Sequence, residues 1–288
     1  MLQKKLSMKN ILILGSSGQI GSHLVNFLKN KKYNVLKFDI KRNKQEDLRL
    51  SKNSLLKNYI IKSDYVFFLA FDVGGSRYLQ KYQESYQFIK NNLDLMTKTF
   101  ELLKKYNKKF LFASSQMSNM SYSNYGILKL IGEKISKTTN GLIVKFWNVY
   151  GVEKDISKSH VITDFVLMAI KNKKIKMLTD GNEFRDFLYA DDCCEGLEIA
   201  MRNHSKFVKQ GVSIDIASGK ETKILNIAKI IQKIFKNKNV NIKIQAKKSK
   251  DLIQVNKRNR VNKYFLKFWR PKTNLHEGIN NIINYYKK

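Results

Sequence analysis

NILILGSSGQIG, residues 10–21, joins a short apolar run to a turn carrying Gly15, Gly18 and Gly21. An unbroken apolar run bounded by turn residues reads as a strand buried on both faces, as in parallel sheets. A helical pattern follows it near 20–30. Strand, tight glycine turn and helix start together aim backbone N–H groups and a helix dipole at one point, where a pyrophosphate would bind. Gly15, Ser17, Gly18, Gln19 and Ile20 would then form the phosphate cradle. A glycine triplet alone is a weak signal. Here Asp39 follows it by about twenty residues, where a carboxylate accepts hydrogen bonds from an adenosine ribose and repels a 2′-phosphate. NAD is therefore the expected cofactor, although Lys41 and Arg42 leave NADP open.

Outward from this stretch, NVLKFD (34–39), YVFFLA (65–70), KFLFAS (109–114) and LIVKFW (142–147) read as further buried strands. Helical patterns lie between them near 85–106 and 123–138. Strands alternating with helices predict an α/β fold with a doubly wound, Rossmann-type parallel sheet. After residue 150 the pattern loosens. It gives a helix near 160–172, a short strand and turn in IKMLTDGNEF, and RDFLYADD running into a helix. SIDIAS reads as a strand, followed by helices near 224–236 and after Leu275. The expected organisation is a cofactor domain over 8–150 and a smaller α/β lobe over 151–288, with no clean linker. Ligands of such sheets bind at the carboxyl edge, where the lobe would lie.

Composition excludes several classes. Hydrophobic residues make up 43% of the chain, which suits a packed core. No apolar run nears the ~18 residues of a membrane span. MLQKKLSMKN lacks the apolar core of a signal peptide, and Met8 would start the fold equally well. Cys193 and Cys194 are adjacent, so they make neither a useful cross-link nor a spaced metal pair. A cytoplasmic protein without a metal site is expected. The formal charge of +32 invites nucleic acid. Yet the excess is 47 lysines against 8 arginines, spread along the chain, whereas groove readers lean on arginine. A polyanionic small molecule suits the charge better, and nucleic acid is not the expected partner.

SNYGILKLIGEK (123–134) adds Tyr125 and Lys129, four apart and so on one helix face. By themselves they could be a Tyr packed on a Lys stem at a wet surface. Together with the glycine spacing, however, the pair resembles the extended short-chain dehydrogenase/reductase superfamily. More narrowly, it resembles the NAD-dependent epimerase/dehydratase family acting on nucleotide sugars. The likeness runs through nearly the whole chain. EDLRL is similar to the family's acidic–hydrophobic pair, which implies Asp47 and Leu48 at the adenine. FFLAFDVGG resembles the strand end that puts Leu69, Ala70 and Phe71 beside the cofactor. KNNLDLMTKTFELLKK resembles the helix whose Asn, here Asn92, braces the site. FASSQM, KFWNVYG, RDFLYADD and WRPKTNLHEGI match later family segments in order.

The resemblance implies Ser115, Tyr125 and Lys129 as the catalytic set. A phenol with a pKa near 10 is a poor base. Lys129 and the positive nicotinamide of NAD would favour the phenolate, so that Tyr125 takes a hydroxyl proton as hydride leaves the carbon. Ser115 would align the same oxygen. Arg185 is implied as a clamp on the diphosphate of a sugar nucleotide. Gly75, Gln116, Asn148 and His160 are implied along the substrate channel, although His160 equally suits an ordinary surface position at a helix start. Arg258 is either a second phosphate contact or part of a solvated basic turn. Asp191 and Asp192 read as a helix cap, and Met117 and Met120 as packing. The family pairs through two helices, here near 85–106 and 123–138, so a homodimer is expected.

Departures from the family pattern narrow the chemistry. Dehydratases and decarboxylating members carry acids directly after the Ser/Thr, and 3,5-epimerising members carry a Cys two positions on. Here Gln116 and Met117 stand there. A 4,6-dehydratase remains an alternative within the family. FDVGGSRY (71–78) is most similar to the GDP-mannose 3,5-epimerase branch, which hints at a GDP-linked manno sugar. Hydride chemistry at C4, as 4-dehydrogenase or 4-epimerase in surface-polysaccharide synthesis, is the leading expectation. A catalytically silent regulator or RNA-binding protein is the alternative from another class.

Overall fold

Two covered faces explain why ILIL, residues 11–14, is apolar throughout. In a strand, successive side chains point to opposite faces. Ile11 and Ile13 enter one apolar layer with Leu24, Leu28, Leu197 and Ala200. Leu12 and Leu14 enter the other with Leu56, Ile60, Phe100, Leu103 and Leu128. The structure, a computed structural model, describes residues 9–249 and 260–288.

The first half runs β1 (Asn10–Leu14), α1 (Gln19–Asn30), β2 (Asn34–Phe38), α2 (Ser54–Lys62), β3 (Tyr65–Phe68), α3 (Ser76–Tyr82) and α4 (Tyr86–Lys105). It continues with β4 (Phe110–Ser115), α5 (Asn124–Thr138), β5 (Leu142–Phe146) and β6 (Asn148–Tyr150). The second half runs α6 (Val161–Asn172), β7 (Lys174–Lys176), β8 (Phe184–Tyr189), α7 (Ala190–Arg202), α8 (His204–Lys209) and β9 (Ile214–Ile216). It closes with β10 (Glu221–Lys223), α9 (Ile224–Lys236), β11 (Lys243–Gln245) and α10 (Leu275–Tyr286). The main sheet has the order β2-β1-β3-β4-β5-β9, and every pairing is parallel. This is the doubly wound α/β fold expected.

Three details differ from expectation. Helices α2, α3 and α8 occupy stretches not read as helical, although Leu56 and Ile60 of α2 are buried at helical spacing. β9, from the second half, pairs with β5 and completes the main sheet; α7, also from the second half, packs in the same layer as α1. The chain thus leaves the sheet after β5 and returns to it, so a division at 150 does not follow the layers. The smaller sheets, β10-β8-β6 and β11-β7, pack with α6, α9 and α10 around Phe165, Val166, Ile227, Ile231 and Ile282. Finally, Asp191 and Asp192 do not cap α7, whose N-cap is Tyr189. The Asp192 carboxylate instead accepts the Lys272 and Thr273 N–H groups at 3.1 and 2.9 Å, tying down the segment before α10.

Candidate active site

The glycine turn is held by contacts that only glycine permits. Gly15 has φ +86°, and a Cβ there would lie 2.7 Å from the Ala70 nitrogen. A Cβ on Gly21 would lie 2.0 Å from the Gly15 carbonyl oxygen. Helix α1 therefore starts directly on the turn. Its N-cap is Gly18, no side chain caps it, and its first turn carries no acid. An uncapped N-terminus leaves backbone donors and the positive dipole end for an anion.

A cavity of about 510 Å³ runs from this turn along the carboxyl edge of the sheet. Gly15, Ser17, Gly18, Gln19, Ile20, Asp39, Asp47, Leu48, Leu69, Ala70 and Phe71 all line it. The Asp39 carboxylate accepts the Ser17 and Lys41 N–H groups at 2.8 and 2.9 Å. Buried Glu46 accepts the Asp39 N–H at 2.7 Å and adds a second acid beside it. Lys41 is paired with Asp155, and Arg42 donates to Glu46 and to the Lys37 carbonyl. The Asp47 carboxyl is lowered: burial would raise it, but the Arg49 guanidinium outweighs burial. The uncapped turn, Asp39 and this wall fit a dinucleotide.

At the other end, the cavity is lined by Ser115, Tyr125, Lys129, Asn148, His160 and Gly75. Ser115 ends β4, and Ser123 caps α5 by accepting the Gly126 N–H at 3.2 Å. That cap sets the phase in which Tyr125, Leu128, Lys129, Gly132, Glu133 and Ser136 all face inward. Tyr125 and Lys129 are 9% and 3% exposed, which removes the wet-surface reading of the pair. The Lys129 ammonium donates to the Ala113 carbonyl at 2.6 Å and lies 3.6 Å from the centre of the Phe71 ring. Phe71 meets Tyr125 edge-on, with centroids 5.7 Å apart.

The electrostatics differ from the sequence expectation. Burial pushes the Tyr125 phenol up to about 12, and the Ser115 hydroxyl opposes that rise. The Lys129 ammonium is directed at the Ala113 carbonyl and the Phe71 ring, and lies 5.7 Å from the centre of the Tyr125 ring. Burial pulls Lys129 down to about 7, while Glu133, one turn further along α5, holds it up. Glu133 is buried, accepts the Ser114 hydroxyl at 2.5 Å and pairs with Lys145 at 3.3 Å. Sequence reading missed it, although its i+4 spacing from Lys129 was a usable signal.

The Lys129 shift has a stability consequence. Between about 7 and the ordinary lysine value the unfolded chain binds a proton at Lys129 that the folded chain has released. Its contribution to stability is therefore lost as pH falls through about 7 and recovered as pH rises toward the unfolded value. Chemical denaturation of the NAD-free protein between pH 6.5 and 9.5 should show this rise, and Lys129→Met should flatten it.

Three expected contacts fall elsewhere. Asn92 is fully buried behind the wall, where it accepts the Asp72 N–H at 2.8 Å and donates to the Phe88 and Asp72 carbonyls. It braces the Asp72 loop without reaching the cavity, while its neighbour Asn91 lines it. Gln116 is buried in the turn after β4 and is not among the lining residues. Arg185 lies on β8, opposite Thr222 of β10, donates to the Phe184 carbonyl at 2.7 Å and is likewise outside the lining. Arg258 lies outside the described residues. His160, at the N-cap of α6, is held by Glu153 through its ring at 2.6 Å and its N–H at 2.9 Å. Among the described residues, no cluster of potential metal ligands occurs and no helix is long and apolar enough to cross a membrane.

A family model described as NAD dependent epimerase/dehydratase family matches residues 11–217. An uncharacterized UDP-glucose epimerase of Bacillus subtilis is 25% identical, covering 96% of this chain and 97% of its own. A UDP-N-acetyl-alpha-D-glucosaminuronate decarboxylase of Bacillus cytotoxicus is 28% identical, over 78% of this chain and 80% of its own. Among solved structures, an epimerase of Methanothermobacter thermautotrophicus superposes with a TM-score of 0.83, at 19% identity, over 98% of this chain and 93% of that one.

Proposed function

The chain belongs to the NAD-dependent epimerase/dehydratase family and is an NAD-dependent enzyme; from that premise we propose that it oxidises C4 of a nucleotide-linked sugar, as a 4-epimerase or a 4-dehydrogenase. The observation that carries this reading is that Ser115, Tyr125 and Lys129 line one end of a cavity whose other end is the glycine turn and Asp39. When bound, NAD takes up a hydride from the sugar carbon and can return it. Tyr125 takes the proton of the C4 hydroxyl, Ser115 aligns that oxygen, and Lys129 supplies the positive charge that a buried phenolate needs. Gln116 and Met117 transfer no protons, so elimination of water and decarboxylation lack their acids.

UDP is the carrier that the relatives' names support. A second reading, a GDP-linked manno sugar, rests on the 71–78 loop, whose Gly75 lines the cavity. Arg185, although outside the cavity lining, stands as a candidate diphosphate contact, and Arg258, outside the described residues, as a second. The setting is surface-polysaccharide synthesis in the cytoplasm. A panel of UDP- and GDP-sugars with NAD, read by NMR of the products and by NADH absorbance, is expected to give a 4-epimer or a 4-keto sugar with a UDP substrate. Turnover confined to GDP-sugars would favour the second reading, and no turnover on any sugar nucleotide would overturn both.

We also propose a homodimer through α4 and α5. Leu93, Ile127, Leu130 and Ile131 on these helices are exposed, an apolar surface suited to a self-complementary interface. Light scattering at micromolar concentration should give twice the chain mass, and Leu130→Glu combined with Ile131→Glu should give a monomer. A wild-type monomer would overturn the proposal.

A further inference from the structure

Lys41 and Arg42 follow Asp39 after one residue, close to where a 2′-phosphate on the adenosine ribose would fall. On sequence alone they leave NADP open. The structure places both beside acids. We infer that Asp155 is a cofactor-specificity residue: by holding the Lys41 ammonium at the rim of the cavity, it keeps that charge from a 2′-phosphate and enforces NAD over NADP.

The geometry fixes both partners. The Lys41 N–H is bonded to Asp39 Oδ1 at 2.9 Å, so its backbone sits against the acid expected to hold the ribose. The Lys41 ammonium is paired with Asp155, and both residues line the cavity. Asp155 also caps the turn 156–158, accepting the Ser157 N–H and hydroxyl at 3.2 and 2.6 Å. The same turn is anchored from below. Lys158 pairs with Asp72 at 3.0 Å, and its carbonyl accepts the Gly75 N–H at 3.1 Å. Asp155 is therefore held in place at both ends of its turn. Lys41 and the Ser157 groups hold its carboxyl down at about 2, so the carboxylate is ionised across the working pH range.

The neighbouring cation is engaged in the same manner, Arg42 with Glu46. Asp39, Glu46 and Asp155 all line the cavity, so a 2′-phosphate at this end would be set among three carboxylates. Because the Lys41–Asp155 pair is partly exposed, it contributes little to stability. Its effect lies in where it puts the ammonium, and substitutions there should leave the fold intact. Asn is the informative replacement, since its side-chain oxygen keeps the cap on Ser157 while the charge is lost.

The inference rests on the adenosine ribose of NAD lying at Asp39. The experiment is isothermal titration of NAD and NADP into the wild-type protein, Asp155→Asn, Lys41→Ala and the double variant. Asp155→Asn should raise affinity for NADP relative to NAD by about tenfold, the scale of one charge-assisted hydrogen bond. Lys41→Ala alone should leave NADP affinity unchanged, and the double variant should lose the gain. An unmoved NADP-to-NAD ratio in Asp155→Asn, a gain that persists in the double variant, or weaker NADP binding in Lys41→Ala would each overturn the inference. Failure of the wild-type protein to bind NAD would instead overturn the cofactor site itself.

Discussion

Tyr125→Phe is expected to fold and bind NAD like the wild type while turning over about 10²-fold or more slowly, the usual scale for loss of a positioned acid/base. The ring keeps its edge contact with Phe71, so packing is preserved. The substitution removes the phenol oxygen from a buried position, where water cannot replace it easily. Lys129→Ala should be worse, because it removes the positive charge beside the phenol together with the ammonium that donates to the Ala113 carbonyl. Ser115→Ala should cost less, since the hydroxyl aligns the oxygen and exchanges no proton. The ranking is to be measured at saturating cofactor. Wild-type turnover by folded Tyr125→Phe would leave the buried pair with a packing role alone.

Gly21→Val should damage the cofactor end as severely. The first added carbon would meet the Gly15 carbonyl oxygen at 2.0 Å, and that oxygen is backbone, with no side-chain torsion to relieve the contact. Either α1 moves off the turn or the turn opens, and both misplace the donors that a pyrophosphate needs. Overpacking of this kind costs about 3 kcal/mol, which corresponds to a fall in Tm of about 6–12 °C in a chain of this size. NAD affinity should fall by more than about tenfold with it. Differential scanning calorimetry and NAD titration check both, and unchanged values would show that the turn tolerates a side chain.

What the sequence disclosed followed from how locally each signal is written. NILIL and its glycine turn are contiguous, and two covered faces require its buried residues, Ile11 to Leu14, to be apolar. Tyr125 and Lys129 share a helix face by spacing alone. By contrast, α3 (SRYLQKY) is too short for a helical period to emerge from its polar residues. β9 is three residues whose place beside β5 is set by tertiary pairing. The rim of the cavity was less legible still. Lys41 and Asp155 are separated by 114 residues, and Lys158 and Asp72 by 86, so no local pattern joins them. Asn92 was read on the correct helix, but its 3.6-residue phase turns it into the wall and leaves Asn91 lining the cavity.

The most direct test of C4 chemistry uses UDP-sugars carrying deuterium at C4, incubated with the protein and NAD and followed by NMR. The expected result is either a 4-epimer that retains deuterium at C4, or a 4-keto sugar with the deuterium recovered in the cofactor. In both cases the reaction should be about 10²-fold or more slower in Tyr125→Phe. Deuterium that stays at C4 of unchanged sugar, in a protein that binds both NAD and the sugar nucleotide, would contradict it.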